Sequence, residues 1–78
     1  MRVLILGAGE VGRHLARSLS SEANVVLLDA DPHALAVAEE ALDVLVMEGN
    51  ATHRDALEAA EVREADLVIS VAGEDSVN

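Results

Sequence analysis

Four short apolar runs, separated by stretches with helical periodicity, constrain the fold of this chain more than any other feature. The runs cover Arg2 to Leu6, Asn24 to Leu28, Val44 to Glu48 and Asp66 to Val71. They are rich in β-branched residues and nearly continuously apolar, which is typical of strands buried on both faces of a parallel sheet. Each run is far shorter than the roughly 20 residues that span a bilayer, so we expect a soluble α/β domain without membrane insertion.

The intervals between the runs carry the signals of helices. Apolar residues recur at helical spacing in the first two intervals, through Val11, Leu15 and Leu19 and then through Leu35, Ala38 and Leu42. They predict one helix over about 10–21 and a second that begins at Pro32, with Asp31 as its N-cap. A third helix is predicted from about Thr52 to Ala60, with Thr52 as its cap.

The resulting order, β-α-β-α-β-α-β, predicts a Rossmann-like doubly wound parallel sheet. Short connections and right-handed crossovers place the strands in the order 3-2-1-4. Because the sequence stops at Asn78, just after the fourth strand, we interpret residues 1–78 as the N-terminal half of a Rossmann-type domain. An incomplete sheet leaves an edge and apolar faces uncovered, so we expect a homo-oligomer, at least a dimer.

A glycine-rich turn connects the first predicted strand to the first predicted helix. Its residues are Gly7, Ala8, Gly9, Glu10, Val11 and Gly12. In such a turn Gly7 allows the sharp exit from the strand, Gly9 lets a pyrophosphate approach the backbone, and Gly12 lets the helix lie close to the strand. The amides at the start of the helix then form an anion site, which predicts dinucleotide or nucleotide binding.

An acidic residue, Asp29, ends the second predicted strand twenty residues after Gly9. A carboxylate at this point of a Rossmann-type unit accepts hydrogen bonds from the hydroxyls of an adenosine ribose. Its charge would repel a 2′-phosphate and no Arg or Lys follows it closely, so NAD is favoured over NADP. The alternative that the glycines only form a tight turn, and that Asp29 only ends a strand, stays open.

Composition excludes several other classes of function. The chain has no Cys, no aromatic residue and no Lys, and its 15 acidic residues against five Arg give a net charge of −10. Binding to nucleic acid or to anionic lipid is therefore not expected, and a catalytic thiol is impossible. His14, His33 and His53 lack the spacing of metal ligands, so we expect neither a metal site nor a catalytic residue.

Four segments of the chain resemble a known family in their order and spacing. They are MRVLILGAGEVGRHLA, VVLLDAD, EGNATHRDAL and ADLVISVAGEDSVN. Together they resemble the N-terminal TrkA-N domain of potassium-uptake regulatory proteins, of the RCK (KTN) type. The most specific parts are Gly49-Asn50-Ala51-Thr52 and the tail from Asp75 to Asn78. The resemblance implies a cytoplasmic, non-enzymatic subunit that binds NAD or NADH and gates a membrane K⁺ transporter, lying against the inner face of the membrane through that partner.

The resemblance also assigns residues to the cofactor. It implies that the glycine loop, from Gly7 to Val11, holds the pyrophosphate and that Asp29 holds the adenosine ribose. Asn50 and Ala51, after the third strand, would lie beside the adenine. Residues 72 and 73, which are Ala72 and Gly73, would lie over the other half of the cofactor.

Two positions depart from residues that are common in the family, and a third departs from the relatives that bind ATP. Relatives that bind ATP tend to carry Arg where Glu10 stands, and Glu10 would repel a terminal phosphate, so NAD(H) is favoured over ATP or ADP. Ala72 replaces a common Thr and Ser76 a common acid, which weakens the case for side-chain hydrogen bonds at that end. The alternatives are an ATP- or ADP-sensing RCK domain, the cofactor-binding half of an NAD-dependent dehydrogenase, and a structural fragment that binds no ligand.

Overall fold

A computed structural model of the chain describes residues 1–71 as alternating strands and helices. The elements are β1 (Arg2–Leu6), α1 (Glu10–Leu19), β2 (Asn24–Asp29), α2 (Pro32–Ala41), β3 (Leu45–Glu48), α3 (Arg54–Ala59), a 3₁₀ turn (Val62–Glu64) and β4 (Leu67–Ser70). The four strands are all parallel and lie in the order 3-2-1-4. The predicted Rossmann-like half fold is therefore confirmed. The longest of these helices have ten residues, and none in residues 1–71 is long and apolar enough to cross a membrane.

The register of the sheet brings the carboxyl ends of its strands to one edge. Leu6 at the end of β1 pairs with Leu28 of β2 on one side and with Ser70 of β4 on the other. Asp29 at the end of β2 pairs in turn with Glu48 at the end of β3. Because the strands are parallel, the turns that follow β1, β2 and β3 all lie at this edge, where Rossmann-type sheets bind their ligands.

The core lies mainly between the sheet and the helices α1 and α2. On that face the strands contribute Val3, Ile5, Val25 and Leu27, and the helices contribute Ala16, Leu35 and Ala38. The opposite face holds a smaller cluster around Leu4, Leu28 and Ala60. Burial is thus deepest at β1 and β2, the two strands from which the glycine turn and Asp29 emerge, so the core fixes the position of both.

The outer strands are not buried on both faces, and the sequence-based expectation is wrong for them. Leu45 of β3 is 70% exposed, and Leu67 and Val68 of β4 are 42% and 41% exposed. Each of these strands pairs with only one neighbour among the described residues. An apolar run of four residues thus predicts a strand but does not indicate whether both faces of that strand are buried.

The start of α3 differs from the prediction. Thr52 does not cap the helix, which begins at Arg54. Instead the side-chain Oδ1 of Asn50 accepts hydrogen bonds from the backbone N–H of Thr52 at 2.8 Å and from its hydroxyl at 2.6 Å. This local turn engages the Thr52 hydroxyl, which illustrates how Asn and Thr side chains compete with helix capping. Asp31, by contrast, caps α2 as predicted, by accepting from His33 N at 2.9 Å.

Candidate functional site

The glycine turn leaves β1 through a conformation that suits glycine. Gly7 has a φ of 123°, in a region of backbone conformation that L side chains rarely adopt. Its N–H donates to the carbonyl oxygen of Leu28 at 2.8 Å, which ties the turn to the end of β2. Ala8 follows and is wholly buried. The turn is therefore a fixed part of the sheet edge and not a loose loop.

Gly12 allows α1 to lie directly against this turn. A Cβ placed on Gly12 would overlap the carbonyl oxygen of Gly7 and would stand 2.9 Å from its carbonyl carbon. Real Cβ atoms do not approach backbone so closely. Gly12 thus has the close-packing role that the sequence predicts for the third glycine of the turn.

The amino end of α1 opens at the same edge. Gly9 is the N-cap residue, with extended backbone, and within the described part of the chain no side chain caps this end. The first N–H groups of a helix lack intrahelical partners and carry the positive end of its dipole. Glu10 stands exposed in the first turn. These amides can donate hydrogen bonds to an anion, while Glu10 places a negative charge beside them.

Asp29 lies next to the glycine turn, as its place at the end of β2 predicts. Its Oδ2 accepts a hydrogen bond from Ala8 N at 2.7 Å, and its Oδ1 accepts one from Asp31 N at 2.8 Å. Its backbone carbonyl accepts from Gly49 N at 2.9 Å. A carboxylate oxygen has two lone pairs, so each oxygen keeps capacity for one more donor, such as a ribose hydroxyl.

The turn after β3 completes the described part of the site. Asn50 is exposed and Ala51 is half-buried against the cluster around Leu4 and Leu28. Both Thr52 donors bind the Oδ1 of Asn50, so the NH₂ group of this amide remains available to other partners. Ala72 and Gly73, expected over the other half of a cofactor, lie outside the described residues.

The charges around this edge are mostly negative. Asp29 and Glu48 end β2 and β3, while Glu10 begins α1 and Asp31 caps α2. Arg13 reaches back from α1, and its Nη1 donates to the carbonyl oxygen of Ala8 at 3.1 Å. Neither this contact nor the bond between Asp29 and Ala8 could be predicted from the sequence, because both depend on side-chain direction.

The three histidines lie apart from this edge or at exposed helix starts. His14 lies on α1, His33 on α2 and His53 just before α3, and all three are exposed. Within residues 1–71, no group of three or more His, Asp or Glu side chains is arranged to hold a metal ion. The described site thus consists of a glycine turn, the uncapped amino end of α1 and the Asp29 carboxylate beside them.

A comparison with protein families assigns this architecture. The family model of the TrkA-N domain matches residues 3–78. This chain belongs to the TrkA-N domain family. The resemblance seen in the four sequence segments is thereby confirmed over almost the whole TrkA-N chain.

Curated relatives carry the same domain within much longer proteins. The TrkA-N chain is 46% identical over 78 residues to the Trk system potassium uptake protein trkA homolog 1 of Methanosarcina mazei, and the match covers all of this chain and 19% of the relative. It is 42% identical over 78 residues to a TrkA homolog of Archaeoglobus fulgidus, covering 18% of that protein. It is 42% identical over 79 residues to TrkA of Azorhizobium caulinodans, covering 17% of that protein. The chain thus spans less than a fifth of the length of these relatives.

Proposed function

We propose that this TrkA-N domain binds NAD or NADH and is the nucleotide-sensing part of a regulator of potassium uptake. The observation that carries the proposal is the position of Asp29, whose carboxylate lies 2.7 Å from the amide of Ala8 in the glycine turn. A pyrophosphate site and a ribose acceptor thus adjoin each other, as a dinucleotide requires. The names of the relatives, potassium uptake proteins, support the physiological part of the proposal.

In this proposal each part of the adenosine half of the cofactor is bound by residues that the structure describes. The pyrophosphate would lie against Gly9 and the uncapped amides of α1, where the helix dipole favours an anion. The ribose hydroxyls would donate to Asp29, and the adenine would lie beside Asn50 and Ala51. The nicotinamide half would extend towards Ala72 and Gly73, which lie outside the described residues.

In this proposal the domain regulates and does not catalyse. Nucleotide binding would bias the arrangement of subunits in a homo-oligomer and thereby the gate of a membrane K⁺ transporter subunit, with the domain on the cytoplasmic side. A ligand shifts such an equilibrium only by its difference in affinity for the two states. Residues 1–78 would be the first half of the nucleotide-binding domain. Hydride transfer from NADH by a longer protein containing this domain would contradict the regulatory role and favour a dehydrogenase.

The ribose role of Asp29 is tested by the variant Asp29→Ala. We expect its NADH affinity to fall by about 1–3 kcal/mol, the usual loss for hydrogen bonds to a charged group. Calorimetric titration with NADH measures the loss. Asp43→Ala is the matched control, because Asp43 is an exposed carboxylate just before β3, at the opposite edge of the sheet. Equal affinity of Asp29→Ala and the unsubstituted protein would refute the ribose role.

The role of Glu10 in nucleotide choice is tested by Glu10→Gln. Removing this charge from the first turn of α1 should raise the affinity for ATP about two- to fivefold, the range of exposed charge effects at a helix end. The affinity for NADH should change less, because NADH has no terminal phosphate. Parallel titrations with both ligands measure the difference. Glu22→Gln, an exposed position beyond the end of α1, is the control, and an equal gain for both ligands would contradict the selective role of Glu10.

A further inference from the structure

We infer that Asp29 is also a positioning residue, which holds the glycine turn in its binding conformation before a nucleotide arrives. This inference deepens the proposed function and rests on it. It concerns the same carboxylate that we expect to bind the ribose, but it assigns that carboxylate a task in the ligand-free protein.

The clearest support for this role is that charged side chains bind both the backbone N–H and the backbone carbonyl oxygen of Ala8. Asp29 Oδ2 accepts from the N–H of Ala8 at 2.7 Å, and Arg13 Nη1 donates to its carbonyl oxygen at 3.1 Å. Ala8 is 0% exposed, so water cannot readily replace these partners. Hydrogen bonds to charged groups are shorter and stronger than neutral ones. The residue between Gly7 and Gly9 is therefore held from two sides.

Asp29 also joins the other turns of the site. Its Oδ1 accepts from Asp31 N at 2.8 Å, in the turn that leads to α2. Its carbonyl oxygen accepts from Gly49 N at 2.9 Å, in the turn that follows β3. One residue thus links the turns after β1, β2 and β3. A change in its side chain should disturb the glycine turn even where no ribose is present.

Inorganic pyrophosphate separates the two roles because it has no ribose. If Asp29 only binds ribose, removing its negative charge should leave pyrophosphate binding unchanged or strengthen it, since like charges repel. If Asp29 positions the glycine turn, the same change should weaken pyrophosphate binding, because the amides lose their arrangement. Only the positioning account therefore predicts that the substitution weakens pyrophosphate binding.

The test compares Asp29→Asn with Glu48→Gln in calorimetric titrations with pyrophosphate. Glu48 is the matched control because it pairs with Asp29 in the sheet, is exposed, and makes no side-chain hydrogen bond to the other described residues. We expect Asp29→Asn to weaken binding by about threefold or more and Glu48→Gln to leave it equal or tighter. Equal or tighter pyrophosphate binding by Asp29→Asn would overturn the positioning role.

Amide hydrogen exchange in the ligand-free protein gives a second readout. Without substitution, the Ala8 amide should exchange as slowly as the amides of β1, and fast exchange there would overturn the inference. Asn offers one acceptor oxygen in place of two and can keep one of these bonds, whereas Asp29→Ala removes both acceptors. In Asp29→Ala the Ala8 amide should therefore exchange about tenfold faster. Unchanged exchange of the Ala8 amide in this variant would also overturn the inference.

The two readouts keep this inference distinct from the proposed function. If the unsubstituted protein fails to bind pyrophosphate, the proposed role of the glycine turn as an anion site is contradicted. The exchange of the Ala8 amide still decides whether Asp29 positions that turn. If pyrophosphate binds but Asp29→Ala leaves the exchange of the Ala8 amide unchanged, the positioning role is refuted while the proposed anion site is not.

Discussion

Replacing Gly12 with alanine is expected to destabilise this TrkA-N domain by about 3 kcal/mol or more, at the upper end of the cost of overpacking. The added Cβ would overlap the carbonyl oxygen of Gly7, which is backbone and cannot rotate away. The intrinsic preference has the opposite sign, because Gly→Ala inside a helix is normally favourable by up to about 1 kcal/mol. Urea unfolding followed by circular dichroism measures the change in the free energy of unfolding.

Ser18→Ala is the control for helix propensity, since Ser18 is exposed on the same helix. It should change stability by no more than about 0.5 kcal/mol. Any Gly12→Ala protein that remains folded should bind NADH poorly, because α1 must move away from the glycine turn to admit the methyl group. Stability equal to that of the unsubstituted protein would show that α1 does not lie against Gly7.

Leu27→Ala is expected to cost about 2–5 kcal/mol, the range for truncating a buried leucine. Leu27 is 0% exposed and lies on β2, in the cluster between the sheet and the helices α1 and α2. The stability of a small domain is only about 5 kcal/mol, so we expect this variant to lose its cooperative thermal transition. Circular dichroism during heating shows whether the transition persists.

Val68→Ala provides the comparison for the outer strands. Val68 lies on β4 and is 41% exposed, so its truncation should cost no more than about 1 kcal/mol. Equal losses for Leu27→Ala and Val68→Ala would contradict a core concentrated at β1 and β2.

Much of this fold follows from patterns that act over short distances. Apolar runs locate the strands, and Asp31 before Pro32 fixes the start of α2 within a residue. Right-handed crossovers then leave few arrangements for four parallel strands, which is why the order 3-2-1-4 can be predicted. The glycine spacing likewise identifies Gly7 and Gly12, because each meets a demand of backbone geometry that few other residues satisfy.

Features that depend on competing side chains or on tertiary burial could not be predicted. Thr is a residue type that often caps helices, but the side chain of Asn50 accepts hydrogen bonds from both donors of Thr52. The exposure of Leu45 depends on what lies beyond the edge of β3, which a run of four residues does not encode. The hydrogen bond from Ala8 N to Asp29 depends on the direction in which one carboxylate points. The spacing of residues in the sequence does not encode that direction.

Calorimetric titration of the 78-residue chain with NADH, NAD, NADP, ATP and ADP at fixed salt tests the central claim most directly. The chain has no Trp or Tyr, so its own fluorescence cannot report binding. We predict a clear preference for NADH or NAD, with NADP disfavoured by Asp29. A preference for ATP or ADP would overturn the inference from Glu10 while keeping a nucleotide-sensing role. Binding of none of the five would contradict the claim that these residues hold the cofactor.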